Sequence, residues 1–155
     1  MKVITENLWG TRLAVLDDTE QQIGTVKLDG WMSSATIEVD GETATLRNRK
    51  WYSSDKIIKY KGEDCGLSEI KFSFSKTKIL VDFKGSTFTI QKKSLFSYEY
   101  EVLFGQNQAP AGTIVKDSLF KKNYTSNLPK TVEPLFQSVL VTVIIFLENY
   151  QAAVS

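Results

Sequence analysis

The chain has 155 residues, 42% of them apolar and 24% charged, which is ordinary globular usage and excludes a disordered or fibrous chain. Nineteen basic against eighteen acidic residues leave a net charge of +1, which argues against a dedicated duplex-DNA binder. With no histidine and a single cysteine, Cys65, there is no Ser-His-Asp or Cys-His catalysis, no histidine-containing or all-cysteine zinc site and no internal disulfide.

In chain order, Val3 and Ile4 are followed at once by Thr5, Glu6 and Asn7, with no cationic, apolar leader, so the chain is expected to be intracellular and cytoplasmic. Most of the sequence then reads at a period of two. Strands are predicted over residues 12–16, 22–28, 35–39 and 42–46, the last two joined by Asp40 and Gly41. Asp-Gly between alternating runs is a strong hairpin signal. Residues 56–60 form the next strand. In 67–75, Ile70, Phe72 and Phe74 share one face; in 78–84, Ile79, Val81 and Phe83 do. Phe88 and Ile90 alternate with Thr87, Thr89 and Gln91, and runs at 98–104, 111–116 and 119–125 bring the set to about a dozen short strands, a sandwich or barrel.

Two hairpins look alike. Val15 and Leu16 precede Gly24-Thr25-Val26, and Val102 and Leu103 precede Gly112-Thr113-Ile114. A glycine so placed marks a bulge or a close backbone approach rather than a ligand site. Asp17 with Asp18, and Glu63 with Asp64, are read as turn carboxylates, and Glu99 and Glu101 as the wet face of a strand. None of these pairs is read as a catalytic acid and base. No Gly-rich phosphate loop is present and no cofactor is predicted. Trp9, Trp31 and Trp51 recur at intervals of 22 and 20 residues and are read as barrel-packing or end-plug residues.

The last segment departs from the pattern. From Leu135 to Leu147, thirteen residues place apolar side chains all round a helical wheel. Ser138, Thr142 and Asn149 alone line up, at about 0°, 40° and 20°. Pro134 suits a first helical turn, so a helix is predicted at about 132–149. A membrane span needs roughly 20 apolar residues, so a buried core helix is the reading here and no transmembrane span is expected. A helix apolar on every side needs walls on every side, which a barrel closed around it would supply.

This succession resembles the tubby C-terminal-like superfamily, in its LURP-one-related and phospholipid-scramblase branch. The residues that carry the likeness are the hairpin from Leu13 to Val26, the second from Glu101 to Val115, and the ending from Tyr124 through Pro129 and Val132 to Phe136. The resemblance implies one domain over residues 1–155: a closed antiparallel β-barrel of about twelve strands around a buried hydrophobic C-terminal helix. Members of the superfamily include phosphoinositide-binding and membrane-associated proteins, and a non-catalytic binding module is the expected function here. The adjacent cysteines of scramblases are missing, and residues 125–131 hold no carboxylate for a calcium loop. Neither scrambling nor calcium control is therefore implied.

Charge is segregated along the chain. Residues 1–46 carry three basic and eight acidic side chains, 47–61 carry six and one, and 71–93 carry six lysines and Asp82. Arg47 and Arg49, and likewise Lys76 and Lys78, are two residues apart, a spacing that lets two cations on one strand face grip a phosphorylated headgroup. Lys50 adds charge, and Trp51 an aromatic suited to headgroup depth. These six residues are the candidate lipid-headgroup site, and anionic phospholipid or phosphoinositide is the candidate partner. Two other readings stand beside it: solvated outer-face cations balancing the acidic first third, and a protein-interaction or scaffold domain without lipid affinity. Nucleic acid and metal are not predicted.

Overall fold

The computed structural model describes residues 1–31, 33–50, 55–72, 77–94 and 96–154, with only the backbone considered at 65, 67–72, 153 and 154. It is a mainly β structure, a twelve-stranded antiparallel sheet with one C-terminal helix. The strands are β1 (Lys2–Thr5), β2 (Arg12–Leu16), β3 (Gln22–Leu28), β4 (Ala35–Val39), β5 (Glu42–Asn48), β6 (Lys56–Tyr60), β7 (Glu63–Phe72), β8 (Thr77–Phe83), β9 (Ser86–Lys92), β10 (Glu99–Phe104), β11 (Ala109–Lys116) and β12 (Tyr124–Asn127). The helix α1 spans Pro134–Val154, starting two residues later and ending five later than the sequence predicts.

Each strand pairs with the next, so connections alternate between two ends of the sheet. β1 lies between β2, through Lys2↔Leu16 to Thr5↔Leu13, and β12, through Lys2↔Thr125 and Val3↔Tyr124. Ser126 N–H also donates to the Met1 carbonyl (2.8 Å), and Thr5 N–H to Asn123 Oδ1 (2.9 Å).

Period-two alternation turns one face of the sheet onto the helix. Val3, Leu13, Val26, Ile37, Leu46, Ile58, Val81, Ile90, Val102 and Ile114 are fully buried or nearly so, in one cluster with Val139, Leu140, Val141, Val143, Ile144 and Ile145 of α1. From Leu135 to Leu147 every residue of the helix is buried, as its all-round apolar wheel requires. By length and composition Pro134–Ala152 could cross a bilayer, but 72% of its most apolar window is buried inside the protein. Its polar residues are satisfied locally: Ser138 Oγ donates to the Pro134 carbonyl (2.8 Å) and Thr142 Oγ1 to that of Ser138 (2.7 Å). Gln137 donates to the Val132 carbonyl and accepts from Ser126 Oγ (2.7 Å).

At one end the connections are short. Asp40-Gly41, Lys61-Gly62 and Lys84-Gly85 each place two residues at positive φ, the two-residue turn whose twist matches that of the flanking strands. The turn therefore falls at Lys61-Gly62, not at Glu63 and Asp64, which begin β7. Gly24 and Gly112 sit opposite bulges at Val15/Leu16 and Val102/Leu103, where a Cβ would strike the backbone carbonyl of Glu38 or Asn127. A third such hairpin, at Ile58/Lys59 opposite Gly66, lies midway between them in strand order.

Candidate functional site

The opposite end has the longer strand-to-strand connections: 6–11, 29–34, 49–55, 93–98 and 117–123. In four of them an aromatic ring stands in solvent: Trp9 is 80% exposed, Trp31 90%, Phe96 87% and Phe120 95%. Leu8, Tyr98 and Leu119 are exposed beside them. Of the eight large apolar residues exposed among the described residues, only Phe104 belongs to the other end. The reading of Trp9 and Trp31 as packing or plug residues is therefore overturned. Their spacing of about twenty residues is the length of chain that makes two strands and two connections and returns to the same end. Trp51 lies outside the described residues.

Small polar residues in these loops fix the backbone from which the rings project. Asn7 Oδ1 accepts from the Thr11 and Arg12 amides (3.0 and 3.1 Å), and Asn7 Nδ2 donates to Thr11 Oγ1 (2.8 Å). The Asp29 carboxylate accepts from the amides of Ser33 (2.6 Å) and Ser34 (3.1 Å) and from the Ser33 hydroxyl. Ser97 Oγ accepts from Glu99 N–H (3.0 Å), and Ser118 Oγ from the Phe120 and Lys121 amides (3.3 and 3.2 Å). Such side-chain turns use the loop's own donors, so the rings are presented at low ordering cost.

Charge differs between the ends. Among the described residues, the aromatic end carries Arg49, Lys50, Lys93, Lys121 and Lys122 against Glu6, Asp29, Asp55 and Asp117 in its connections. The short-turn end carries Lys61, Lys84 and Lys130 against Asp17, Asp18, Glu20, Asp40 and Glu133. Arg47 and Arg49 are exposed, Arg47 near the aromatic end of β5 and Arg49 in the connection that follows, where its N–H donates to the Asp55 carbonyl (2.9 Å). Lys50 is exposed in that connection and Lys78 half-buried at the aromatic end of β8. Lys76 lies outside the described residues. Register separates the pairs: Arg47 is level with Ile57, Leu67 and then Asp82, four residues from Lys78. That is about 14 Å across three strand spacings and about 13 Å along the strand. Arg47 and Lys78 share an end but not one phosphate.

Just inside the aromatic end is a half-buried polar cluster that sequence reading missed. Glu148 of α1 accepts from Tyr100 Oη (2.6 Å), Tyr124 Oη (2.8 Å) and Lys116 Nζ (2.8 Å). Burial first, and the adjacent carboxylate second, push both phenols up, so they stay protonated donors. Lys56, buried on the inner face, donates to Asn48 Oδ1 and lies 4.6 Å from the centre of the Phe146 ring. Strand parity with Ile58 was the available signal for Lys56; nothing local pointed to Glu148. No family model matches the chain, and neither a curated protein nor a solved structure matches it.

Proposed function

We propose that the protein is a non-catalytic module that binds peripherally to anionic phospholipid or phosphoinositide headgroups, with Trp9, Trp31, Phe96 and Phe120 entering the interface. Its framework in this reading is a closed β-barrel around α1, of the tubby-like kind. The pairing of β1 with both β2 and β12 supports closure. The observation that carries the function is the gathering at one end, beside lysines, of seven of the eight large apolar residues exposed among the described residues. Aromatic rings on separate loops, two of them basic (those of Phe96 and Phe120), suit the headgroup layer, where an amphipathic ring and a cation both find partners. Each Lys or Arg at an anionic surface contributes about 1 kcal/mol, and full burial of a large apolar side chain about 1.5–3 kcal/mol. The two contributions are comparable, so salt should weaken binding without abolishing it.

Co-sedimentation with vesicles tests this. Anionic vesicles are expected to carry the protein down at low salt and less so at physiological salt, and neutral ones far less. Trp9→Ala with Trp31→Ala should weaken binding at least tenfold, and Arg49→Ala with Lys50→Ala should flatten the salt dependence. Absence of sedimentation with anionic vesicles at either salt would overturn the proposal in favour of a protein-interaction domain.

A further inference from the structure

At the short-turn end, between the rims of β8–β11 and the 128–133 connection leading into α1, lies a cleft of about 510 Å³. That is the size of a small-molecule site. Its floor is aromatic. Phe136 of α1 stacks on Phe83 (centroids 4.5 Å apart) and meets Phe88 edge-on (4.8 Å), and Phe88 meets Phe104 (5.1 Å). Phe104 is 48% exposed, so one wall of this cluster is open. Pro110 and Pro129, which have no N–H to donate, help line it.

The polar groups at this cleft are uncommitted. Among the described residues Lys84, Ser86, Thr131 and Glu133 make no side-chain hydrogen bond or ion pair. The Lys84 ammonium instead lies 3.5 Å from the centre of the Tyr60 ring and 5.7 Å from that of Phe83. It therefore stands at the edge of the aromatic floor, over Tyr60, and pairs with no carboxylate among the described residues. Other polar clusters differ. In the larger basin beside the N-terminus, the terminal amine pairs with Asp18 (2.9 Å) and Lys2 with Glu20 (3.1 Å). The Glu148 cluster is likewise self-satisfied.

We propose that this cleft binds a small amphipathic organic monoanion, its apolar body against Phe83, Phe88, Phe104 and Phe136 and its anionic group at Lys84. Glu133 disfavours a second negative charge and accepts from any hydroxyl the ligand carries. The site lies at the opposite end from the aromatic loops and does not depend on them.

Titration calorimetry with 1-naphthoate, decanoate and uncharged 1-naphthalenemethanol tests it. Saturable one-site binding is expected for at least one of the anions, and the stronger of the two marks an aromatic or an acyl ligand. Lys84→Glu, in an exposed turn, should weaken that binding at least fivefold, Ala111→Trp should block it, and naphthalenemethanol should bind at least fivefold more weakly than naphthoate if the ligand is aromatic. If Ala111→Trp does not melt cooperatively, Lys84→Glu alone decides. Absence of saturable binding by either anion, or anion binding indifferent to Lys84→Glu, would overturn the proposal. Trp9→Ala/Trp31→Ala should bind the anion as the parent does, so failure here is separable from failure of the membrane reading.

Discussion

Lys56 shows how much one side chain's placement decides. As one of six cations between residues 47 and 61 it looks like surface charge, yet it shares strand parity with Ile58 and is only 7% exposed. Burial lowers its pKa, and Asp29 and Asp55 offset part of that. In the unfolded chain the lysine keeps its proton to about pH 10.4. As pH rises toward that value the folded state sheds the proton first, so the unfolded state binds more protons and stability from this group rises. Lys56→Met should therefore stabilise the protein at pH 7, by about 1 kcal/mol, with the gain shrinking by pH 9.5. Urea unfolding at the two pH values checks this, and a gain independent of pH would contradict it. Glu148 is the converse case: its partners Tyr100, Lys116 and Tyr124 are distant in sequence, so only the assembled fold reveals them.

Elements were legible where a single periodicity ran long enough. The strands at Arg12–Leu16, Gln22–Leu28, Ala35–Val39 and Lys56–Tyr60 have the bounds the sequence predicts, the alternation being strict in Ala35–Val39. β1 was missed because four residues with one fully buried side chain, Val3, are too short to show a period. The strand read at 119–125 is displaced to Tyr124–Asn127, because Leu119 and Phe120 belong to an exposed loop rather than to the sheet. The third bulged hairpin carries no such signature in the sequence, because Gly66 is followed by Leu67 and Ser68 instead of Thr and an aliphatic residue. The helix was legible from its all-round apolarity, and its role follows from the residues it covers. Leu140→Ala, at a fully buried position, should cost about 2–5 kcal/mol, read as a lower urea midpoint. A 1–131 fragment loses the whole of α1 and should show no cooperative melt, whereas a soluble fragment melting cooperatively would contradict the helix's place in the core.

For the molecule as a whole, polarity between its two ends could not be read from net charge, which is +1 and conceals it. It emerges because an antiparallel sheet sends alternate connections to opposite ends. Trp9, Trp31, Phe96 and Phe120, scattered along the chain, thereby come to one end, while the compact two-residue positive-φ turns gather at the other. The candidate cations were legible as basic runs, but their pairing was not, since register separates Arg47 from Lys78. The aromatic recurrence is visible in the sequence and reads equally as packing or end-plug residues, because period alone does not say whether a returning ring faces the core or solvent.

The most direct measurement is tryptophan emission in a Trp51→Phe variant, which leaves Trp9 and Trp31 as the only tryptophans. With anionic vesicles carrying bromine-labelled acyl chains, emission should shift to shorter wavelength and be quenched, while neutral vesicles should change it little. Emission that stays unshifted and unquenched while the protein sediments with anionic vesicles would show that these loops do not enter the membrane surface.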